Sequence, residues 1–324
     1  MSSSRCLPRA SPRGLPSPHM GPLPPIDNLR AVSKTSHPRL RIAAISFLNT
    51  APLMWDFQHP PLAQRLATKY DLAWMLPSEC AARLAAGTAD LGLVPIAALA
   101  TTPGLRILPG CTIASRGLVR SLLLVRRASQ PLAAIRSVAA DTASRSTIAH
   151  SRILFHAWGN PAVPFLPMAA DLDSMLAAAD AAIVIGDPAL LALEECANRF
   201  ERTGEDLIYH DLAQEWHTLT GLPFVSAVWA AAPASQALPS PLDQSIADDF
   251  IQSRDHGLQN IETLVAEWSR QLPLSEGTIR TYLTTNIHYT LDQEGLAAMR
   301  TFFRLAAQCG ALPKYDFSMS DLPV

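Results

Sequence analysis

From Arg39 onward, short apolar runs alternate with amphipathic stretches, the pattern of an α/β protein whose strands are covered by helices. The apolar runs predict strands at Arg41–Leu48, Leu72–Leu76, Leu91–Val94, Val119–Val125, Val138–Ala140, Ala182–Ile185, Leu207–Tyr209 and Phe224–Ala230. Between them, PSECAARLAAG reads as a helix with Ser78 capping its start and Gly87 closing its end. Beyond Leu242 the spacing is helical. Ile251, Leu258, Ile261, Leu264 and Trp268 form one apolar face, and Leu296, Met299, Phe302, Phe303 and Ala306 form another.

Two segments echo each other: RLAAGTADLGLVPIAAL (Arg83 to Leu99) and SMLAAADAAIVIGDPALL (Ser174 to Leu191). Each runs from a helix through Ala-Asp into a short apolar strand, then to Pro and a second helical piece. The shared order predicts two similar α/β lobes. The chain would cross between them near Leu118–Arg126 and return along Thr220–Ala232. The expected division is 39–126 plus 227–324 for the first lobe, 127–226 for an inserted second lobe, and a ligand cleft between them outside the strand ends.

Composition narrows the class. At 324 residues, 48% apolar and 17% charged, the chain suits a compact two-domain protein. The net charge of −2 gives no global pull toward nucleic acid or an anionic membrane. Residues 1–40 carry five Arg and one Lys against one Asp, and eight of the 27 prolines lie before Arg39. Such a segment cannot bury enough apolar area to offset its ordering entropy, so 1–38 reads as a disordered tail. Pro and Arg interrupt every apolar stretch a secretory signal would need, and no later window is long and apolar enough for a membrane span. The five cysteines (Cys6, Cys80, Cys111, Cys196, Cys309) are scattered without a CxxC pair, which predicts reduced thiols and a cytoplasmic location.

Several chemistries are absent from the motifs. There is no GxGxxG after the first strand, no GxxxxGK[ST] and no GxSxG, and only three lysines (Lys34, Lys69, Lys314). The pairs His150/His156 and His210/His217 lack the i, i+4 spacing of helix-borne metal ligands, so the expectation is a site without metal or cofactor. What remains is a set of small polar residues at strand ends: Asn49 and Thr50, then Ser115, Arg116 and Ser121, then Thr142, Ser144, Arg145, Ser146 and Thr147. The last group opens a helix, where free N–H groups and the positive dipole end attract anions. Ser and Thr in such places also cap helices, and Asn after a strand also makes turns. Asp187, before Pro188, reads as a cap.

Together, RIAAISFLNTAPL, ASRGLVRSLLLV, ADTASRSTIA, AAIVIGDPALL and YHDLAQEWHTLTGLPFVSAVWA resemble the successive signatures of chorismate dehydratase from the futalosine route to menaquinone, over roughly residues 39–310. The resemblance implies a two-lobed fold like the type 2 periplasmic binding proteins, with an interlobe cleft and C-terminal helices. It implies chorismate as substrate, with 3-[(1-carboxyvinyl)oxy]benzoate and water as products. Asn49 and Ser121 would be catalytic; Ser144, Arg145 and Ser146 would hold a carboxylate; Ser46, Thr50 and Ser115 would line the pocket. The sister enzyme, 1,4-dihydroxy-6-naphthoate synthase, carries a motif resembling SPCPND and relies on a histidine, where this chain has SFLNTAP. A non-catalytic solute-binding protein would carry a signal peptide or lipobox before Arg39, and none is visible.

Overall fold

The computed structural model describes residues 3–5, 39–143, 145–233 and 244–317. In chain order these form β1 (Ser3–Arg5), β2 (Leu40–Ile45), a 3-10 segment (Leu48–Met54), α1 (Trp55–Gln58), α2 (Leu62–Lys69), β3 (Tyr70–Met75), α3 (Pro77–Ala85), β4 (Leu91–Pro95), α4 (Ala97–Thr101), β5 (Arg106–Ser115) and β6 (Leu122–Arg127). A short 3-10 turn (Leu132–Ala134) precedes β7 (Val138–Asp141), α5 (Arg145–Ala157), β8 (Phe165–Met168), α6 (Leu172–Ala178), β9 (Ala181–Ile185), α7 (Asp187–Glu194), α8 (Cys196–Thr203), β10 (Leu207–Asp211), α9 (Leu212–Thr220) and β11 (Phe224–Ala231). The remainder is helical: α10 (Gln244–Gln259), α11 (Ile261–Trp268), α12 (Glu276–Thr281), a π-helical segment (Tyr282–Asn286) and α13 (Gln293–Gln308).

Two mixed sheets result. One has the order β3-β2-β4-β11-β5, with β2 parallel to β3 and β4 and with β11 antiparallel to β4 and β5. The other has the order β1-β10-β6-β9-β7-β8, with β7 parallel to β8 and β9 and the remaining pairs antiparallel. The two echoing segments become α3-β4-α4 and α6-β9-α7, one in each sheet. Both LGLVP of β4 and AAIVI of β9 are buried throughout, as suits interior strands covered on both faces. The boundaries expected at 126/127 and 226/227 cut through strands: β6 pairs wholly within the second sheet and β11 wholly within the first.

Local chemistry departs from the sequence reading in a few places. The cap of α3 is Leu76, not Ser78: Pro77 is the first helical residue, and Glu79 reaches back to accept the Leu76 N–H at 2.8 Å. Strand β5 has no counterpart among the predicted strands, because Pro109-Gly110 interrupts its apolar run. Gly110 sits at φ 89°, and the pairing of β5 with β11 shifts register twice. Of the expected tail 1–38, Ser3–Arg5 pair antiparallel with β10 as β1, and the rest lies outside the described residues. Cys196 is disulfide-bonded, which corrects the reading of five reduced thiols, while Cys80, Cys111 and Cys309 are free. Among the described residues no helix is long and apolar enough to cross a membrane.

The predicted α13 face is buried, Leu296, Met299, Phe302, Phe303 and Ala306 joining one core with β11 and the helices around it; of the α10–α11 face Ile261 and Leu264 are buried, Ile251 and Trp268 half-buried and Leu258 exposed. Gly257 of α10 lies where a Cβ would come within 2.1 Å of the Pro52 carbonyl oxygen, so α10 packs directly on the backbone that follows β2.

Candidate functional site

The turn after β2 is built by Thr50. Its hydroxyl donates to the carbonyls of Ile45 and Phe47 at 2.7 and 2.8 Å, closing the strand end into the 3-10 segment. That turn leaves Phe47 and Asn49 facing a cavity of about 60 Å³ between the two sheets. From the other sheet it is lined by Ile185 and Gly186 at the end of β9 and by Thr147 in the first turn of α5. Gly186 has φ 63° and faces the Phe47 ring so closely that a Cβ there would lie 2.6 Å from it.

Ser121 enters the cavity from the crossing before β6. The crossing is pinned by Asp211, whose carboxylate accepts the Val119 and Arg120 N–H groups at 3.0 and 2.6 Å and also caps α9 through Ala213 and Gln214. Arg120 sits at φ 65°, a left-handed conformation that the Asp211 contact holds in place. Burial pushes the Asp211 carboxyl up, and its four backbone donors pull it back. The Ser121 carbonyl accepts the Gly186 N–H at 2.8 Å, so both sides of the serine are fixed.

A residue the sequence reading passed over completes this corner. Tyr282, fully buried, donates its phenol to Ser121 Oγ at 2.7 Å, and Asn49 is near enough to favour the ionised form of that phenol slightly. Burial holds the Tyr282 hydroxyl well above its ordinary value, so it remains protonated. Asp187 was read as a cap; the N-cap of α7 is Gly186, and the Asp187 carboxylate instead accepts the Leu48 N–H at 3.0 and 3.4 Å. Its burial pushes the carboxyl up to about 7, against the Leu48 hydrogen bond that lowers it.

Other candidate side chains are placed elsewhere. Ser46 is exposed and donates weakly to the Met75 carbonyl at 3.4 Å. Ser115, at the end of β5, donates to the Gly117 carbonyl at 3.3 Å. Ser146 accepts the Ala97 N–H at 2.8 Å and ties α5 to α4. None of these three, nor Thr50, lines the cavity. Ser144 lies outside the described residues, as does the side chain of Arg145. Among the described residues the cavity lining contains no Asp, Glu, His, Lys or Cys, and no group of three or more His, Cys, Asp or Glu is arranged to hold a metal. A larger cleft of about 410 Å³ lies between α5, α9 and α13, lined in part by Ile153, Leu219 and Arg304, and it gathers none of the candidate residues.

The architecture is similar to that of a crystal structure of a protein from Archaeoglobus fulgidus, with TM-score 0.62 and 14% identity over 85% of this chain and 98% of that one. It is also similar to the alkanesulfonate-binding protein SsuA from Xanthomonas axonopodis pv. citri bound to MOPS, with TM-score 0.59 and 18% identity over 89% and 99% of the two chains. A Candida albicans protein described as having the generic periplasmic binding protein fold matches with TM-score 0.59 and 16% identity over 86% and 92%. Two mixed sheets enclosing a cavity, with these likenesses, define an α/β protein of the periplasmic-binding-protein-like fold. The chain belongs to the menaquinone biosynthesis family, whose profile matches residues 40–308.

Proposed function

We propose that the protein is a chorismate dehydratase of the futalosine route to menaquinone, acting in the cytoplasm without cofactor. The observation that carries this reading is the convergence of Asn49 and Ser121, from the end of β2 and from the crossing before β6, on one cavity between the sheets. The two sheets are then the cores of two lobes. The cavity's volume of about 60 Å³ is far below the roughly 300–1,000 Å³ usual for ligand sites, so admission of a ring diacid requires the lobes to part at the crossings before β6 and β11.

In the bound state Ser121 and Asn49 would hydrogen-bond the substrate, and the first turn of α5 would face a carboxylate. A ring C–H bond breaks and its electron pair completes the aromatic ring, while the neighbouring C–O bond breaks and its pair leaves with the hydroxyl. Because no described cavity residue is a usable base, the substrate's side-chain carboxylate takes the ring proton and passes it to the departing hydroxyl, which leaves as water and returns the carboxylate to its charged form. The protein supplies position and hydrogen bonds.

The absence of a histidine from the described lining supports this reading over the naphthoate synthase of the same route. The alkanesulfonate-binding protein supports a second reading, solute binding without turnover, through its fold alone. Purified protein mixed with chorismate tests them: loss of the diene absorbance with a product lighter by one water supports the dehydratase. Chorismate bound but recovered intact supports the binding protein. An analogue lacking the side-chain carboxylate that reacts at full rate would overturn the substrate-assisted step.

A further inference from the structure

We propose that Tyr282 is a positioning residue for this reaction, fixing the Ser121 hydroxyl as a donor into the cavity. The inference rests on the dehydratase reading above. A serine hydroxyl has one proton to give and lone pairs to receive with. When Ser121 Oγ accepts the Tyr282 phenol at 2.7 Å, its own proton is left to point elsewhere. Its backbone is held by the neighbouring Asp211 contacts and by Gly186, so the open direction is the cavity it lines. A chain of hydroxyls donating in sequence also polarises its members, which strengthens the last donor where charge builds on the departing oxygen.

A buried tyrosine usually finds an acceptor for its hydroxyl, and a backbone carbonyl would serve equally well. Here the acceptor is the one serine proposed to touch substrate, and the second neighbour is the asparagine proposed to do the same. The contrast with Tyr289 is direct. It is buried in the same region, yet among the described residues its hydroxyl has no partner. The Tyr282 phenol is therefore directed by the site. The π-helical segment that begins at Tyr282, directly after α12, sets its placement.

The test compares wild type, Tyr282→Phe, Ser121→Ala, the double variant, and chains carrying 3-fluorotyrosine or 3,5-difluorotyrosine at position 282, all assayed with chorismate. Tyr282→Phe keeps the ring and is expected to lower kcat about 10- to 100-fold with KM changed less than about threefold. The double variant should be no slower than Ser121→Ala within about threefold, because the phenol acts through the serine. In the fluorinated chains, which keep the packing, kcat should change progressively with phenol acidity. An unchanged kcat in Tyr282→Phe or across the fluorinated series, or additive losses in the double variant, overturns the assignment while leaving the dehydratase reading intact. A wild type that leaves chorismate untouched overturns both.

Discussion

The Asp187 carboxylate accepts the backbone N–H of Leu48 at 3.0 Å, joining the first residue of α7 to the turn after β2, from one sheet to the other. It is buried and directly follows Gly186 of the cavity wall.

Asp187 should make stability depend on pH. Its folded pKa of about 7 lies above the ordinary 3.8, so the folded state holds its proton more tightly than the unfolded chain does. The stability this contributes is complete below pH 3.8 and is lost as pH rises through 7, on the order of 4 kcal/mol at 1.36 kcal/mol per unit. Asp187→Asn keeps an acceptor for Leu48 without the charge and should match wild type near pH 4 but melt higher at pH 8. Asp187→Ala strands the Leu48 N–H and should cost about 1–3 kcal/mol. Thermal midpoints from pH 4 to 8 decide this, and a wild-type advantage over Asp187→Asn at pH 8 would contradict it.

His150 titrates in the opposite sense. It stacks on Phe224 at 4.1 Å, is fully buried, and among the described residues neither ring nitrogen has a partner. Burial pushes its pKa down to about 3 from 6.5, so stability is complete above 6.5 and falls as acid protonates the unfolded chain. His150→Phe removes two unpaired nitrogens and should equal or exceed wild type at pH 7, with its advantage growing by about 3 kcal/mol toward pH 4. Acid-unfolding midpoints of the two proteins check it.

Gly186→Ala should be destabilising by roughly 1–3 kcal/mol, because it adds a Cβ at φ 63° and 2.6 Å from the Phe47 ring. Adding Phe47→Ala should recover only part of the loss, since the ring is gone but the backbone strain stays. Denaturant midpoints of the two single variants and the double variant give the coupling directly.

How far these features could be read from the sequence follows physical lines. Interior strands such as β4 and β9 are unbroken apolar runs and announced themselves, as did the buried face of α13. Strand β5 did not, because Gly110 gives it a turn residue in mid-strand. Asn49 and Ser121 stood out as polar residues at the ends of apolar runs. Tyr282, 161 residues beyond Ser121, sits in a helical region where a lone tyrosine reads as core. Thr50 and Ser146 share the composition of ligand contacts, yet their hydroxyls serve the backbone, a choice only the fold decides. Asp187 looked like a cap because local sequence cannot show that its partner is Leu48.

A turnover panel with chorismate sets Asn49→Ala and Ser121→Ala against Ser46→Ala and Ser115→Ala. The two cavity variants should lose about 100-fold or more in kcat, the scale of a lost transition-state hydrogen bond, while the other two stay within about threefold of wild type. Full activity in Asn49→Ala and Ser121→Ala would place the chemistry somewhere other than this cavity.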